Sequence, residues 1–195
     1  GQIYNNMIGG GFKNTAGYYG IWSNSGYYQM WHNSINLDFA STSGTSAGIY
    51  LSGASLNDVQ NNHLIVSNPS AIGATPFITT AATYVSSLNN NNYFNRSSSV
   101  LLNIAGANYS SSNYKTAFPN GGGLGSISLD PYYISSTNLH ITVPCNNGVN
   151  LGVATDIDGE TRASSPDIGA DEIITAATND IGIYKINSPN FPLVS

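Results

Sequence analysis

The chain has 195 residues, of which only 8% are charged, and a net charge of −5 at pH 7. Its five basic residues form no patch, which excludes nucleic acid and anionic membrane surfaces as partners, and no apolar run approaches the ~20 residues needed for membrane insertion. Because 41% of the residues are hydrophobic, there is enough apolar material for a folded core. Turn and strand formers are abundant while Glu, Lys, Arg and Gln are scarce, so the sequence predicts an all-β fold.

A motif of the form apolar-x-x-Asn-x-apolar recurs four times, at steps of 27, 29 and 29 residues. Its asparagines are Asn6, Asn33, Asn62 and Asn91. The apolar residues before them are Ile3, Met30, Val59 and Leu88, and those after them are Ile8, Ile35, Leu64 and Tyr93. A step near 28 residues suits one coil of a parallel β-helix, in which equivalent positions stack at about 4.8 Å.

This repeat predicts an asparagine ladder, in which each side-chain amide bonds to the one above and below it. Asparagine also tolerates a positive φ, so we expect these residues to form the turn themselves. The alternative is an antiparallel sandwich with regular strand spacing, which gives no reason for asparagine to recur in register.

A second apolar column lies between the asparagine motifs and predicts another strand in each coil. Its members are Ile21, Ile49 and Ile78, at steps of 28 and 29 residues.

The stretch GYYGIWSNSGYYQMWHN (17–33) carries aromatic residues on two consecutive predicted strands. Because strand side chains alternate, Trp22 and Trp31 are expected to point outward, with Tyr50 stacked over Trp22 and Tyr4 against Trp31. Exposed aromatic rings among amides and hydroxyls are typical of a glycan-binding platform. The alternative is that neighbouring loops cover these rings.

Residues 95–150 fit the period poorly. Residues 108–113 and 120–123 are expected to form loops that project from a coil. The alternation of apolar and polar residues at 125–129 predicts a further strand.

Three segments, GSISLDPYYISSTNLHI (125–141), NNGVNLG (146–152) and DIDGETRASSPDIGADE (156–172), closely resemble the C-terminal end of bacterial right-handed parallel β-helix repeat proteins. The resemblance implies a right-handed β-helix with its C-terminal coils and cap over residues 1–174. Residues 178–195 resemble the first strand and turn of an Ig-like domain, so 175–195 are expected to be a linker and the start of a truncated Ig-like domain.

The same resemblance implies a context. Such domains are typical of large secreted or outer-surface bacterial proteins, often adhesin-like, and many are cargo of the type 9 secretion system. The expected location is therefore extracellular or on the outer cell surface. The expected partners are other domains of the same chain, extracellular glycans and secretion machinery.

Six of the ten acidic residues fall within 156–172, together with one arginine. We expect them to form an ion-paired cap that closes the end of the β-helix, with Arg162 paired to Asp158, Asp167 or Asp171. The predicted cap residues are Asp156, Asp158, Arg162, Asp167, Asp171 and Glu172. Two alternatives remain, a weak Ca²⁺ site at Asp156 and Asp158 and a carboxylate pair for glycoside hydrolysis.

The coil faces are poor in charge, since residues 1–95 hold two acids and one lysine. Lyases and pectinases of this fold carry clustered Asp, Arg and Lys on their coils. The sequence therefore favours a non-catalytic structural or adhesive module that contacts glycans, with no cofactor. The alternative is a fragment of a polysaccharide lyase or glycoside hydrolase.

Overall fold

The computed structural model describes residues 1–10, 17–40, 44–53, 55–117 and 123–174. The expected linker and Ig-like strand at 175–195 lie outside the described residues. The strands are β1 (Gln2–Tyr4), β2 (Met7–Ile8), β3 (Tyr19–Ser23), β4 (Gln29–Trp31), β5 (Ser34–Leu37), β6 (Ser46–Leu51), β7 (Asn57–Gln60), β8 (His63–Val66), β9 (Ala74–Thr79), β10 (Val85–Ser87), β11 (Asn92–Asn95), β12 (Val100–Ile104) and β13 (Ala107–Ser110). Two short 3₁₀ helices span Ala82–Tyr84 and Tyr114–Thr116.

The strands stack into three sheets, ordered β1-β4-β7-β10, β2-β5-β8-β11 and β3-β6-β9-β12-β13. Every pairing between successive coils is parallel. The chain is therefore a parallel β-solenoid of about three turns, which confirms the predicted all-β parallel β-helix. Within the residues that the structure describes, no helix is long and apolar enough to cross a membrane.

The columns around the asparagine motif stack as predicted. Ile3 pairs with Met30 and Met30 with Val59, while Leu88 is buried in the same core. On the other side of the corner, the column Ile8, Ile35, Leu64 and Tyr93 is in register through three pairings. These side chains fill the interior as a continuous apolar stack.

The prediction for the second apolar column, Ile21, Ile49 and Ile78, is wrong by one residue at its third member. Ile49 pairs with Phe77, and Ile78 pairs with Tyr50. Phe77 is fully buried in the core. The larger ring takes the inward position, and a one-residue slip in a strand exchanges the two faces.

The asparagine ladder is present, and it is satisfied by hydrogen bonds. The Nδ2 groups of Asn6, Asn33 and Asn62 each donate to the Oδ1 of the next asparagine, at 2.8, 2.9 and 3.0 Å. The backbone N–H of each donor residue binds the same oxygen. At the last coil the backbone N–H of Asn91 donates to Ser126 Oγ at 3.0 Å, so a serine terminates the ladder.

The turn geometry corrects one expectation. The positive φ belongs to the residue before each ladder asparagine, and these residues form what we call the corner column. Its members are Asn5 (φ 54°), His32 (φ 51°), Asn61 (φ 56°) and Asn90 (φ 53°). The ladder asparagine points inward and bonds along the stack, while its left-handed neighbour turns the chain and presents its side chain at the corner.

The far end of the last coil is covered by residues 107–117 and 123–127, which we call the end cover. β13 pairs antiparallel with β12, so part of the loop expected at 108–113 is a strand. Tyr114 packs edge-on against Tyr93 and donates its hydroxyl to the Ser126 carbonyl at 2.8 Å. The strand expected at 125–129 is reduced to a single bridge between Asn92 and Ile127.

The ladder makes a testable prediction. Asn62→Leu should lower the free energy of unfolding by about 1–3 kcal/mol, because it leaves buried partners on Asn33 and Asn91 unsatisfied. Chemical denaturation measures this change. Asn24, an exposed asparagine, is the matched control, and Asn24→Leu should change stability by less than about 0.5 kcal/mol. Equal stabilities of the two variants would contradict the structural role of the ladder.

Candidate functional site

Residues 131–174 run along the outside of the coils, and we call them the lateral strap. Within this described range there is no extended strand, only two isolated antiparallel bridges. The strap is held by the corner column. Asn90 Nδ2 donates to the Asn147 carbonyl at 2.8 Å, and Asn61 Nδ2 donates to the Val149 carbonyl at 2.7 Å. Asn5 Nδ2 donates to the Thr155 carbonyl at 2.7 Å. The strap therefore descends from the last coil to the first.

The strap then passes back over the middle coils. The N–H of Gly169 donates to the Asn61 carbonyl at 2.8 Å, and the N–H of Ala170 donates to Ser34 Oγ at 3.0 Å. Gly169 has φ 98°, and a Cβ there would lie 2.3 Å from the His63 ring. Only glycine permits this close approach.

The predicted cap residues lie in this strap and not over the end of the last coil. Arg162 Nη2 is 2.9 Å from Asn5 Oδ1, a residue of the first coil. The predicted position of the cap is therefore wrong. The last coil is closed by the end cover, while the corner column offers a row of amide side chains to which an irregular segment can bond.

The partner of Arg162 also differs from the prediction. Its Nη1 lies 3.3 Å from Glu172 Oε2, and the two side chains are only 3% and 4% exposed. The Nη2 group also donates to the carbonyls of Gly169 and Ala170, at 3.1 and 3.2 Å. Arg162 thus links its own part of the strap to residues 169–172, and it also links the strap to the first coil.

The acidic residues of the strap accept hydrogen bonds from its main chain. Asp156 Oδ1 accepts from the N–H groups of Asp158 and Glu160, and its Oδ2 accepts from that of Glu172. Asp167 accepts from the N–H groups of Cys145 and Ile173. Both oxygens of Asp156, one of the two residues of the candidate Ca²⁺ pair, thus accept main-chain hydrogen bonds.

Glu172 and Asp171 act in the same way. Glu172 accepts from the N–H groups of Ala163 and Asp167, and Asp171 accepts from that of Ile141. Burial raises the pKa values of Asp167 and Asp171, although these main-chain bonds oppose the shift. The motif that defines the strap is therefore a set of carboxylates organising a backbone without regular secondary structure.

Asp158 lies apart from that network, next to His140. His140 Nε2 is 2.8 Å from Asp158 Oδ2. One ligand atom from each of His140, Asp158 and Asp171 lies within 4.8 Å of the others. His140 lies in a part of the sequence without a repeat, so no sequence pattern joins it to these two acids.

The aromatic residues divide into an exposed group and a covered group. Trp22 is 60% exposed and pairs with Tyr50 across β3 and β6, as predicted. The ring of Tyr50 stacks on Tyr19, with centroids 4.6 Å apart and planes 18° apart, and Tyr19 lies 5.8 Å from Trp22. We call Tyr19, Trp22 and Tyr50 the aromatic platform. Tyr19 was missed in the sequence, although it adjoins Gly20 in the same strand.

The expected exposure of Trp31 is wrong. Trp31 pairs with Tyr4 as predicted, but it is only 9% exposed and its indole N–H donates to Asp58 Oδ2 at 3.0 Å. The two rings and residues 151–155 of the strap line a cavity of about 310 Å³. Trp31 is therefore buried beneath the strap, while Tyr4 remains 45% exposed, so this column does not present a pair of open ring faces.

A groove of about 420 Å³ adjoins the aromatic platform on the same sheet. Its lining includes Tyr50, Thr75, Thr80 and Asn103. The groove therefore places hydroxyl and amide groups beside exposed aromatic faces.

Together these features define the structural class of the protein, which is a parallel β-solenoid with a buried asparagine ladder and a laterally bound C-terminal segment. No family model, no curated protein and no solved structure matches the chain.

The strap ion pair gives a second prediction. Arg162→Ala should lower the free energy of unfolding by about 3 kcal/mol, because it leaves the buried Glu172 carboxylate without its charged partner. Arg96, which pairs with Asp130 at a more exposed position, is the control. Arg96→Ala should cost less than about 1 kcal/mol. Equal losses in the two variants, measured by denaturant titration, would contradict the strap's anchoring by Arg162.

Two buried histidines give a prediction about pH. Burial lowers the pKa of His63 to about 3, and burial with the nearby charge of Arg162 lowers that of His32 to about 3. The unfolded chain takes up these protons below about pH 6.5 while the folded chain does not. As the pH falls from about 7 to 5.5, each of these two histidines should therefore lower the free energy of unfolding by about 1–2 kcal/mol.

The control is His32→Asn, which keeps a residue suited to positive φ in the corner column. Denaturation at several pH values should give a smaller loss for this variant than for the parent. An unchanged pH slope would show that His32 titrates freely in the folded state.

Proposed function

We propose that this chain is a non-catalytic structural and adhesive module of a large secreted or cell-surface bacterial protein, and that it contacts glycans through the aromatic platform. The observation that carries the proposal is the exposure of Trp22 beside the stacked rings of Tyr19 and Tyr50. Flat apolar ring faces are suited to the C–H faces of pyranose sugars.

The groove next to the platform supports the same ligand class. Thr75, Thr80 and Asn103 line it together with Tyr50, and such side chains both donate and accept hydrogen bonds. A sugar seated on Tyr50 would thus have partners for its hydroxyl groups on one side. Few full charges lie in this region, which favours neutral or weakly charged glycans.

The mechanical part of the proposal rests on the ladder and the strap. The ladder joins consecutive coils through buried amides, and the strap bonds to the first, third and fourth members of the corner column. A solenoid ordinarily has contacts only between neighbouring repeats. A segment that crosses all of them adds long-range connections, which suits a stiff spacer.

The secreted context rests on the resemblance of residues 125–172 to β-helix repeat proteins of the bacterial surface. On that basis we infer an extracellular or outer-surface location, export by a type 9 system, and contact with other domains of the same parent chain and with the secretion machinery.

The rival proposal is a polysaccharide lyase or glycoside hydrolase. Against it, the carboxylates of Asp156, Asp167 and Glu172 accept main-chain hydrogen bonds within the strap. Arg96, one of the five basic residues of the chain and thus one of the few that could serve as a lyase base, pairs with Asp130. These groups already have structural partners, whereas general acid–base catalysis requires a group within reach of the substrate.

A glycan array followed by calorimetry tests the binding. We expect affinities of about micromolar to millimolar, because a shallow platform gains only a few kcal/mol after ordering costs. Trp22→Ala should weaken binding by at least about tenfold and change the unfolding free energy by less than about 1 kcal/mol, since the ring is mostly exposed. Tyr132, an equally exposed aromatic residue at φ 51°, is the control, and Tyr132→Asn should leave binding unchanged.

Three results would contradict the proposal. Absence of binding to every glycan would leave only the structural role, and equal loss in both variants would place the ligand elsewhere. Release of reducing or unsaturated sugar ends from pectin, alginate or chondroitin, abolished by Asp158→Asn, would establish the enzyme instead.

A further inference from the structure

The strap carries a cluster of metal-ligating groups that the glycan proposal does not use. It joins His140, Asp158 and Asp171, whose ligand atoms lie within 4.8 Å of one another. The three residues belong to three separate passes of the strap. Asp171 is buried, whereas the side chains of His140 and Asp158 are 35% and 51% exposed, so solvent reaches the cluster from one side.

The neighbours of the His140 ring indicate which tautomer the neutral imidazole adopts. Asn138 Oδ1 accepts the backbone N–H of His140, which identifies that atom as the oxygen of the amide. The same oxygen contacts His140 Nδ1, so Nδ1 carries a proton. In the neutral imidazole, Nε2 is then a lone-pair acceptor.

That lone pair faces a carboxylate. His140 Nε2 is 2.8 Å from Asp158 Oδ2, and two acceptors at this distance repel unless a proton or a cation lies between them. An Nδ1–H bound to an oxygen acceptor is also the arrangement that orients histidine ligands in metal sites.

We propose that His140, Asp158 and Asp171 bind a divalent transition-metal ion, with Zn²⁺ the best fit, and that this ion fastens the three passes of the lateral strap. One imidazole nitrogen and two carboxylate oxygens form a ligand set that Zn²⁺ accepts, with a water completing four-coordination. Ligands at zinc distances lie about 3.3 Å apart in a tetrahedron, and small movements of the two exposed side chains bring the three atoms to that spacing.

Ca²⁺ fits the cluster poorly because it takes six to eight oxygen ligands, and one of the three groups here is a nitrogen. Asp171 is already held in place by the N–H of Ile141 at 2.8 Å. The buried acid therefore provides a fixed ligand, and the two exposed residues close on the ion. This inference is independent of the aromatic platform, which lies on β3 and β6 and not in the strap.

The test uses the full chain after treatment with a chelator. Titration with ZnCl₂ should show one ion per chain and a rise in melting temperature, while CaCl₂ at the same concentration should give neither. Co²⁺ should give visible d–d bands without a thiolate charge-transfer band, because the ligands are nitrogen and oxygen. A thiolate band would place the metal at Cys145, the single cysteine, and overturn the assignment.

Variants identify the ligands. His140→Gln and Asp158→Asn should each weaken zinc binding by at least about tenfold, and both should stay folded because these side chains are partly exposed. Glu160, an exposed acid close in sequence, is the matched control, and Glu160→Gln should bind zinc as the parent does. Trp22→Ala should also bind normally, which separates this test from that of glycan binding.

The proposal fails if the parent binds no stoichiometric zinc, or if both ligand variants bind it with unchanged affinity. In the first case His140 and Asp158 form only a hydrogen-bonded pair. Circular dichroism of each variant without metal confirms that any loss of binding is not a loss of fold.

Discussion

The structure depends on the need to satisfy a buried amide at every coil. Asn33, Asn62 and Asn91 are fully buried, and a buried amide without partners is costly. Nδ2 of Asn33 and of Asn62 donates both to the next asparagine and to a main-chain carbonyl of the preceding apolar column, at Ile3 and Met30 respectively. Nδ2 of Asn91 donates instead to the Val59 carbonyl and the Tyr93 hydroxyl. The register of the coils is thereby held at one corner, and the apolar columns on both sides follow from it.

The corner also determines where the strap binds. A chain that turns inward at the ladder asparagine needs a left-handed residue just before it, and the side chains of these residues line up on the outside. Asn5, Asn61 and Asn90 use their amides to hold strap carbonyls. The ladder therefore joins the coils, while the adjacent corner column binds the C-terminal segment.

The concentration of acids near the C-terminus has the same physical origin. A segment without strands has main-chain N–H groups that no neighbouring strand accepts, and buried N–H groups require partners. Asp156, Asp167 and Glu172 provide those acceptors, and Arg162 neutralises part of their charge. The cluster of His140, Asp158 and Asp171 lies beside this network and retains groups that can bind an ion.

The sequence by itself determined the repeat, the ladder and the columns next to it, because stacking turns a periodic pattern directly into contacts between equal positions. It could not determine the one-residue slip at Phe77, since Phe77 and Ile78 are both suited to the core and only packing chooses between them. Nor could it predict that the strap covers Trp31 and leaves Trp22 exposed, or that Arg162 meets Asn5. These contacts join residues far apart in an irregular segment whose path has no period, so the tertiary structure alone decided them.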